Sequence, residues 1–262
     1  MNQQIFQVDA FTSARFGGNP AAVCPLTEWL DDETMLNIAA ENNLSETAFF
    51  VKRKDDYEIR WFTPTVEINL CGHATLAASF VIFNCLNLED EQIKFYAHRS
   101  GDLSVEKRGD VLVLDFPKYD LTDGEMPAGL TEAVGKTPKQ FWETQGNMAM
   151  LLFETEDDIK NLEPDMSALS KLAFDEVIVT AKGASADFVS RLFAPRIGIT
   201  EDPVTGATHC SLIPYWARRL EKEKLYARPL SKRGGELFCE FKGDRVKIGG
   251  NAALYLKGEI YI

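Results

Sequence analysis

One phrase occurs twice in this chain of 262 residues, about half its length apart. Arg60-Trp61-Phe62-Thr63-Pro64 leads to Gly72-His73-Ala74-Thr75, and Arg191-Leu192-Phe193-Ala194-Pro195 leads to Gly206-Ala207-Thr208-His209. Upstream, Gly18-Asn19-Pro20-Ala21-Ala22-Val23 is echoed by Gly146-Asn147-Met148-Ala149-Met150-Leu151, and the hairpin-like turns Arg108-Gly109-Asp110 and Lys242-Gly243-Asp244 recur at nearly the same spacing. Matches in one order, at slowly growing spacing, predict a duplicated half with small loop insertions. At this length they favour two domains of about 130 residues each.

A glycine ahead of small residues lets the backbone turn sharply from a strand into a helix, and the first helical turn leaves N–H groups without partners. Two such ends facing each other about a two-fold axis would hold one anionic ligand between them. The plainer reading is two ordinary strand-to-helix turns of a duplicated fold, and it stays open on the glycines alone.

The chain is 45% hydrophobic and 26% charged, the balance of a soluble globular protein. Its net charge of −12 opposes binding to nucleic acid or to an anionic membrane, both of which depend on cationic patches. An anionic substrate would have to be captured by local donors against that field. The N-terminus has no basic region followed by an apolar core. The longest mostly apolar stretch, Ala74 to Phe83, is too short to span a bilayer, so a cytoplasmic protein is expected. Five cysteines, an odd number without C-x-x-C spacing, argue against a disulfide framework.

Strand-like runs dominate, from Ile5 to Val8 at one end to Ala253 to Ile262 at the other, with helices expected at Asp31 to Asn42, Gly72 to Leu86, near Asp165 to Ala173, and Gly206 to Lys222. The segment Ala74 to Leu86 is apolar on every face, and such a helix must be wrapped by other structure. A curled antiparallel sheet is the natural wrapper, giving an α+β fold of two halves, each a barrel-like sheet around a central helix. Pro214 should distort the second helix, and Arg218, Arg219, Glu221 and Lys222 should emerge from its barrel. The expected halves are residues 1–117, with the C-terminal strand 252–262 a candidate to complete them, and 118–262.

Glu46 precedes an apolar strand and is flanked by Leu44, Ala48, Phe49 and Phe50. A carboxylate desolvated there would have a pKa raised toward neutrality and would suit a group that takes and returns a proton; a solvated loop glutamate is the alternative. His73 follows Gly72 at a helix start, where a neutral, hydrogen-bonding ring is favoured. Asp202, before Pro203, is equally a common turn former. Cys71, His73, His209 and Cys210 offer a ligand set that zinc accepts, but not at a usual zinc spacing, and both thiols also fit inert packing. Signatures for nucleotide, P-loop, zincin and serine-hydrolase chemistry are missing from the sequence, which favours side-chain chemistry with no cofactor.

Several phrases together resemble the phenazine biosynthesis PhzF-like isomerases, which share the diaminopimelate epimerase fold. They are Phe16-Gly17-Gly18-Asn19-Pro20-Ala21-Ala22-Val23, Asn43-Leu44-Ser45-Glu46-Thr47-Ala48-Phe49, Arg60-Trp61-Phe62-Thr63-Pro64 with Leu70-Cys71-Gly72-His73-Ala74-Thr75, and Glu201-Asp202-Pro203-Val204-Thr205-Gly206. Arg233-Gly234-Gly235-Glu236-Leu237 and Gly243-Asp244-Arg245-Val246 extend the likeness toward the end of the chain.

The resemblance implies an active site between two similar halves, no cofactor, no metal and often a homodimer. It implies Glu46 as the proton shuttle with His73 and Asp202 assisting. The family commonly has a serine where this chain has Ala207, which separates it from the phenazine-pathway activity. The epimerase's paired cysteines would fall at Gly72 and Ala207, so two-thiol racemisation is not available. The expectation is therefore a cofactor-independent isomerase that shifts a proton within a small carboxylated substrate. Amides of Gly72, His73, Gly206 and Ala207 would hold the carboxylate, with Asn19 and Thr208 among the substrate-binding residues. A noncatalytic small-anion-binding protein on the same scaffold is the alternative.

Overall fold

The computed structural model describes residues 2–86 and 89–262. They form two compact units: the chain up to Phe116 together with Lys247–Ile262, and Pro117–Val246.

The first unit runs β1 (Asn2–Ala10), β2 (Asn19–Leu26), α1 (Asp32–Asn42), β3 (Glu46–Lys52), β4 (Tyr57–Phe62), β5 (Glu67–Ile68), α2 (Gly72–Phe80), a π-helical turn at Val81–Cys85, β6 (Gln92–Ala97), β7 (Gly101–Arg108) and β8 (Val111–Pro117). Its pairing alternates: antiparallel for β1–β2, parallel for β2–β3, antiparallel for β3–β4, parallel for β4–β6 and antiparallel for β6–β7. The second unit runs β9 (Leu121–Asp123), α3 (Leu130–Val134), β10 (Gln140–Thr144), β11 (Met148–Leu152), α4 (Glu156–Lys160), α5 (Met166–Leu169), β12 (Glu176–Lys182), β13 (Phe188–Ala194), a 3-10 turn at Pro195–Ile197, β14 (Ile199–Asp202), α6 (His209–Leu220), β15 (Lys224–Pro229) and β16 (Leu237–Lys242), followed by β17 (Arg245–Gly250). The same alternation recurs through β10–β11, β11–β12, β12–β13, β13–β15 and β15–β16. The last strand, β18 (Ala252–Tyr261), pairs antiparallel with β1.

The sheets are thus mixed, where an antiparallel sheet was expected. Parallel neighbours need a crossover, and the helices supply them: α1 carries the chain from β2 to β3, and α2 from β5 to β6. Strand β2 was not foreseen, because Asn19-Pro20-Ala21-Ala22 has little strand propensity; its mostly buried place between β1 and β3 overrides that. β10 and β15 were likewise not foreseen.

Period-two alternation gives each sheet two faces. In the first unit Cys24, Phe49 and Phe62 pack against Met35, Ile38 and Ala39 of α1. The opposite face meets α2, which lies against β1, β2, β3 and β18 and buries His73 through Ser79. In the second unit Val177, Val179 and Ala181 pack with residues of α3, α4 and α5, while Thr180, of opposite parity, accepts a hydrogen bond from Trp216 Nε1 of α6 at 3.0 Å.

The repeated Arg-x-Phe-x-Pro phrase builds one device twice. Arg60 donates to both carboxylate oxygens of Glu67 at 2.8 and 2.9 Å, and Arg191 does the same to Glu201 at 2.7 and 3.2 Å. Each guanidinium also lies over the phenylalanine two residues on. Burial alone would raise the Glu67 carboxyl, but the hydrogen bonds and charge of Arg60, with Arg99 and His98, hold it below its ordinary range. These bidentate pairs tie β5 to β4 and β14 to β13, just ahead of each central helix.

The second helix begins at His209, three residues later than expected. Residues 206–211 close shorter turns, with the amides of His209, Cys210 and Ser211 bonded to the carbonyls of Gly206, Ala207 and Thr208. Pro214 has no N–H for the Cys210 carbonyl four residues back, and that carbonyl accepts instead from the Tyr119 amide at 2.8 Å.

All five cysteines are free thiols. Burial pushes Cys24 and Cys210 up to about 12 and Cys71 to about 11, and raises Cys239 as well, from an ordinary value of 9.0. A folded-state pKa above the unfolded one stabilises fully below pH 9 and is lost as pH rises through the folded values. Each thiol then contributes a slope of about 1.4 kcal/mol per pH unit. Urea midpoints should fall steeply above pH 9, and Cys24→Ala should remove one thiol's share of that slope. A midpoint that does not move on the alkaline side would refute it.

Candidate active site

Asn19 opens β2 after a loop with little conformational freedom. Phe11, Phe16 and Gly18 all have positive φ, and a Cβ at Gly18 would lie 2.0 Å from the Ala10 carbonyl oxygen, so only glycine fits there. The Phe16 amide donates to Asp9 Oδ2 at 2.8 Å. Asn19 pairs with Ala10 across the β1–β2 ladder and is fully buried.

Three further side chains converge on it. Glu46 is the first residue of β3, three positions before Phe49, and so projects to the face that meets α2. Gly72 is the first residue of α2, Cys71 precedes it as the N-cap, and His73 follows. The Asn19 side-chain nitrogen lies 3.1 Å from His73 Nδ1, the Cys71 sulfur lies 3.5 Å from the same nitrogen, and Glu46 Oε2 lies 3.1 Å from Nε2. The last pair is within reach of proton exchange but lacks the alignment of a full hydrogen bond. All four residues are buried. Burial opposes a charge on His73, but Cys71 and Glu46 outweigh it and hold the ring well above its ordinary value. The Cys71 thiol is pushed up first by burial and then by Glu46.

Of the sequence candidates, Asn19, Glu46, Gly72 and His73 therefore lie together in the first unit. Asp202, Gly206, Ala207 and Thr208 belong to the second. Asp202 ends β14 and accepts a hydrogen bond from Thr205 Oγ1, while Thr208 Oγ1 donates to the Thr205 carbonyl at 2.8 Å. Cys71, read from sequence as fitting inert packing, touches the imidazole. Glu46, Cys71 and His73 offer ligand atoms within 4.8 Å of one another, and His209 and Cys210 are not part of this group. Cys71 faces Nδ1 and Glu46 faces Nε2, so an ion on either nitrogen would point away from one of the two; the set does not suit one metal. Glu176 holds the matching place in the second unit. It opens β12 as Glu46 opens β3, and it shares a sheet face with Thr180. Leu44-Ser45-Glu46 and Phe174-Asp175-Glu176 both end in glutamate before an apolar strand.

Residues 8–258 match the family described as phenazine biosynthesis-like protein. The chain belongs to the PhzF-like family. An uncharacterized isomerase of Pseudomonas aeruginosa is 48% identical over 262 residues, covering 100% of both chains. A crystal structure of a PhzF-family phenazine biosynthesis protein from Enterococcus faecalis is 46% identical, with a TM-score of 0.96 and complete coverage of both chains. A probable proline racemase from Agrobacterium radiobacter shares the fold alone, at 9% identity and a TM-score of 0.68 over 99% of this chain and 93% of that one. The chain is accordingly an isomerase of mixed α+β fold. No helix among its described residues is long and apolar enough to cross a membrane.

In this PhzF-like isomerase the two central helices treat their first turns alike. Thr75 Oγ1 donates to the carbonyl of Cys71, four residues back, at 2.6 Å; at the repeat-related position His209 Nδ1 meets the Thr205 carbonyl, also four back, at 2.9 Å. A carbonyl only accepts, so the proton of His209 sits on Nδ1, and its buried Nε2 has no hydrogen-bond partner among the described residues. Burial lowers this ring to about 4, against a smaller opposing pull from the Thr205 carbonyl. Because the folded value is depressed, the stabilisation is present above the ordinary 6.5 and is lost as pH falls toward 4. Its size is about 3 kcal/mol. His209→Asn keeps a donor for Thr205 and removes the titration, so its urea midpoint should change less than the wild type's between pH 7 and 4. Equal losses in both proteins would exonerate His209.

Proposed function

We propose that the chain is a cofactor-independent isomerase that moves a proton within a small carboxylated substrate. The observation that carries this reading is the buried contact between Glu46 and His73 at the start of a buried helix. A carboxylate and an imidazole removed from water, 3.1 Å apart, form a proton-handling pair with little structural use for one.

In the proposed reaction Glu46 takes a proton from a substrate carbon. The C–H bond's electrons stay on the substrate, delocalised into an adjacent unsaturated or carboxyl group, and Glu46 returns the proton to a different carbon. Nothing is oxidised or reduced, and the atoms of substrate and product are the same. His73 and Asp202 polarise the substrate, and amides of Gly72, His73, Gly206 and Ala207 hold its carboxylate, aided by Asn19 and Thr208. Ala207 keeps the amide and lacks the hydroxyl of the family's usual serine, so the phenazine-pathway reaction itself is not part of the proposal. The substrate is a free small molecule rather than a nucleic acid or membrane component, in keeping with the net charge of −12, and the acting species is a cytoplasmic homodimer.

Proton NMR in D2O over a panel of small cyclic and amino-substituted carboxylic acids tests this. Wild type should introduce deuterium at carbon in at least one compound, and Glu46→Gln should slow that exchange by about 10²–10⁴-fold while still binding it. Undiminished exchange by the variant would remove Glu46 from the chemistry. No exchange across the panel, with saturable line broadening in both proteins, would favour a binding protein instead.

A further inference from the structure

A neutral imidazole carries one N–H and one lone pair, and the groups facing its two nitrogens decide which is which. His73 Nδ1 faces the Asn19 side-chain nitrogen at 3.1 Å and the Cys71 sulfur at 3.5 Å. An amide NH2 only donates. Cys71, held at about 11, keeps its S–H at neutral pH and is a donor as well. Nε2 faces a carboxyl oxygen of Glu46 at 3.1 Å. Both neighbours of Nδ1 thus offer hydrogens, and the neighbour of Nε2 offers an oxygen.

We infer that Asn19 is a positioning residue whose amide keeps Nδ1 of His73 bare, so that the ring's single proton lies on Nε2 and faces Glu46. This deepens the reading of Glu46 as proton carrier and rests on it. A ring protonated at both nitrogens would bring Nδ1–H against the Asn19 N–H at 3.1 Å, which costs both groups their hydrogen bond. Among the described residues the titratable groups facing this ring are Glu46 and Cys71. Glu46 draws a second proton toward the ring, but the pull by which Cys71 raises the ring needs a thiolate and is absent while the thiol keeps its S–H, and the Asn19 amide opposes the second proton. The outcome is one proton on the Glu46–His73 axis rather than a fixed ion pair, which leaves Glu46 able to accept the substrate's proton. The loop before β2 serves the same end, because Gly18 and the Asp9 contact fix where Asn19 enters the strand.

Long-range proton–nitrogen correlation spectra of the ¹⁵N-labelled protein at neutral pH read the rings directly. The chain has three histidines, and His209, with its proton on Nδ1, is an internal reference of the opposite tautomer. His73 should show a bare Nδ1 and a protonated Nε2, and Cys71→Ser, which keeps a donor, should preserve that pattern. Asn19→Asp offers an acceptor to Nδ1. It should protonate both nitrogens, raise the titration midpoint of His73 by about one pH unit or more, and lower kcat about tenfold with a smaller change in KM. A wild-type ring carrying its proton on Nδ1, or carrying two, overturns the inference, as does an unchanged tautomer in Asn19→Asp. Should the Asn19 variant fail to fold, the wild-type spectrum decides alone. The expected tautomer together with undiminished exchange by Glu46→Gln would overturn the shuttle reading and leave the tautomer standing.

Discussion

A helix without a polar face has to be enclosed, and much of the first unit follows from enclosing α2. Its side chains from His73 to Ser79 are buried, and even its hydroxyls turn inward, Thr75 and Ser79 each bonding the carbonyl four residues back at 2.6 and 2.8 Å. Strands from both ends of the chain close around it, which is why β18 returns to β1 over nearly its whole length. The polar atoms that such a helix can present are those of its first turn. Asn19, Glu46 and Cys71 gather at His73 there, in surroundings where each contact counts for more than in water.

The second unit repeats the scaffold but not the chemistry. The arginine–glutamate pairs, the order of parallel and antiparallel neighbours, and a glutamate at the start of the third strand all recur. The imidazole does not: the residue after the repeat glycine is His73 in one half and Ala207 in the other. A histidine does appear two residues later, at His209, where it has taken over the task that Thr75 performs, a bond to the carbonyl four residues back. One ring is placed to exchange protons with a carboxylate. The other is held neutral by burial and serves the helix.

The duplication was legible because it lies in the backbone-determining residues: glycines at 18, 72, 109, 206 and 243 and the prolines at 64 and 195 mark turns and helix starts whose geometry only a few residues satisfy. The wrapped helix was legible from composition alone. What sequence could not supply was pairing. The crossovers that make the sheets mixed depend on which strands become neighbours, and β2 became a strand through its position between β1 and β3 rather than through Asn19, Pro20 or Ala21. Glu46 and His73 were each readable as chemically suggestive, yet their contact joins residues far apart in sequence. Cys71 shows the limit most clearly: a thiol in an apolar phrase reads as packing, and only the fold reveals that its sulfur lies against His73 Nδ1.

Buried polar networks stabilise a fold only when every member is satisfied, and a buried carboxylate beside an imidazole is a poor substitute for apolar packing. The pair at Glu46 and His73 is not even aligned as a hydrogen bond. Nearby, two phenylalanines hold left-handed backbone conformations, and Gly18 sits where no side chain fits. Each of these features costs stability, and they lie in the segments that deliver Asn19 and Glu46 to the start of α2. Strain and unsatisfied polarity gathered at one helix end persist where the misalignment is itself useful. A Glu46 oxygen held loosely by His73 gives up less of its basicity to that contact, and a proton carrier needs that basicity for its substrate.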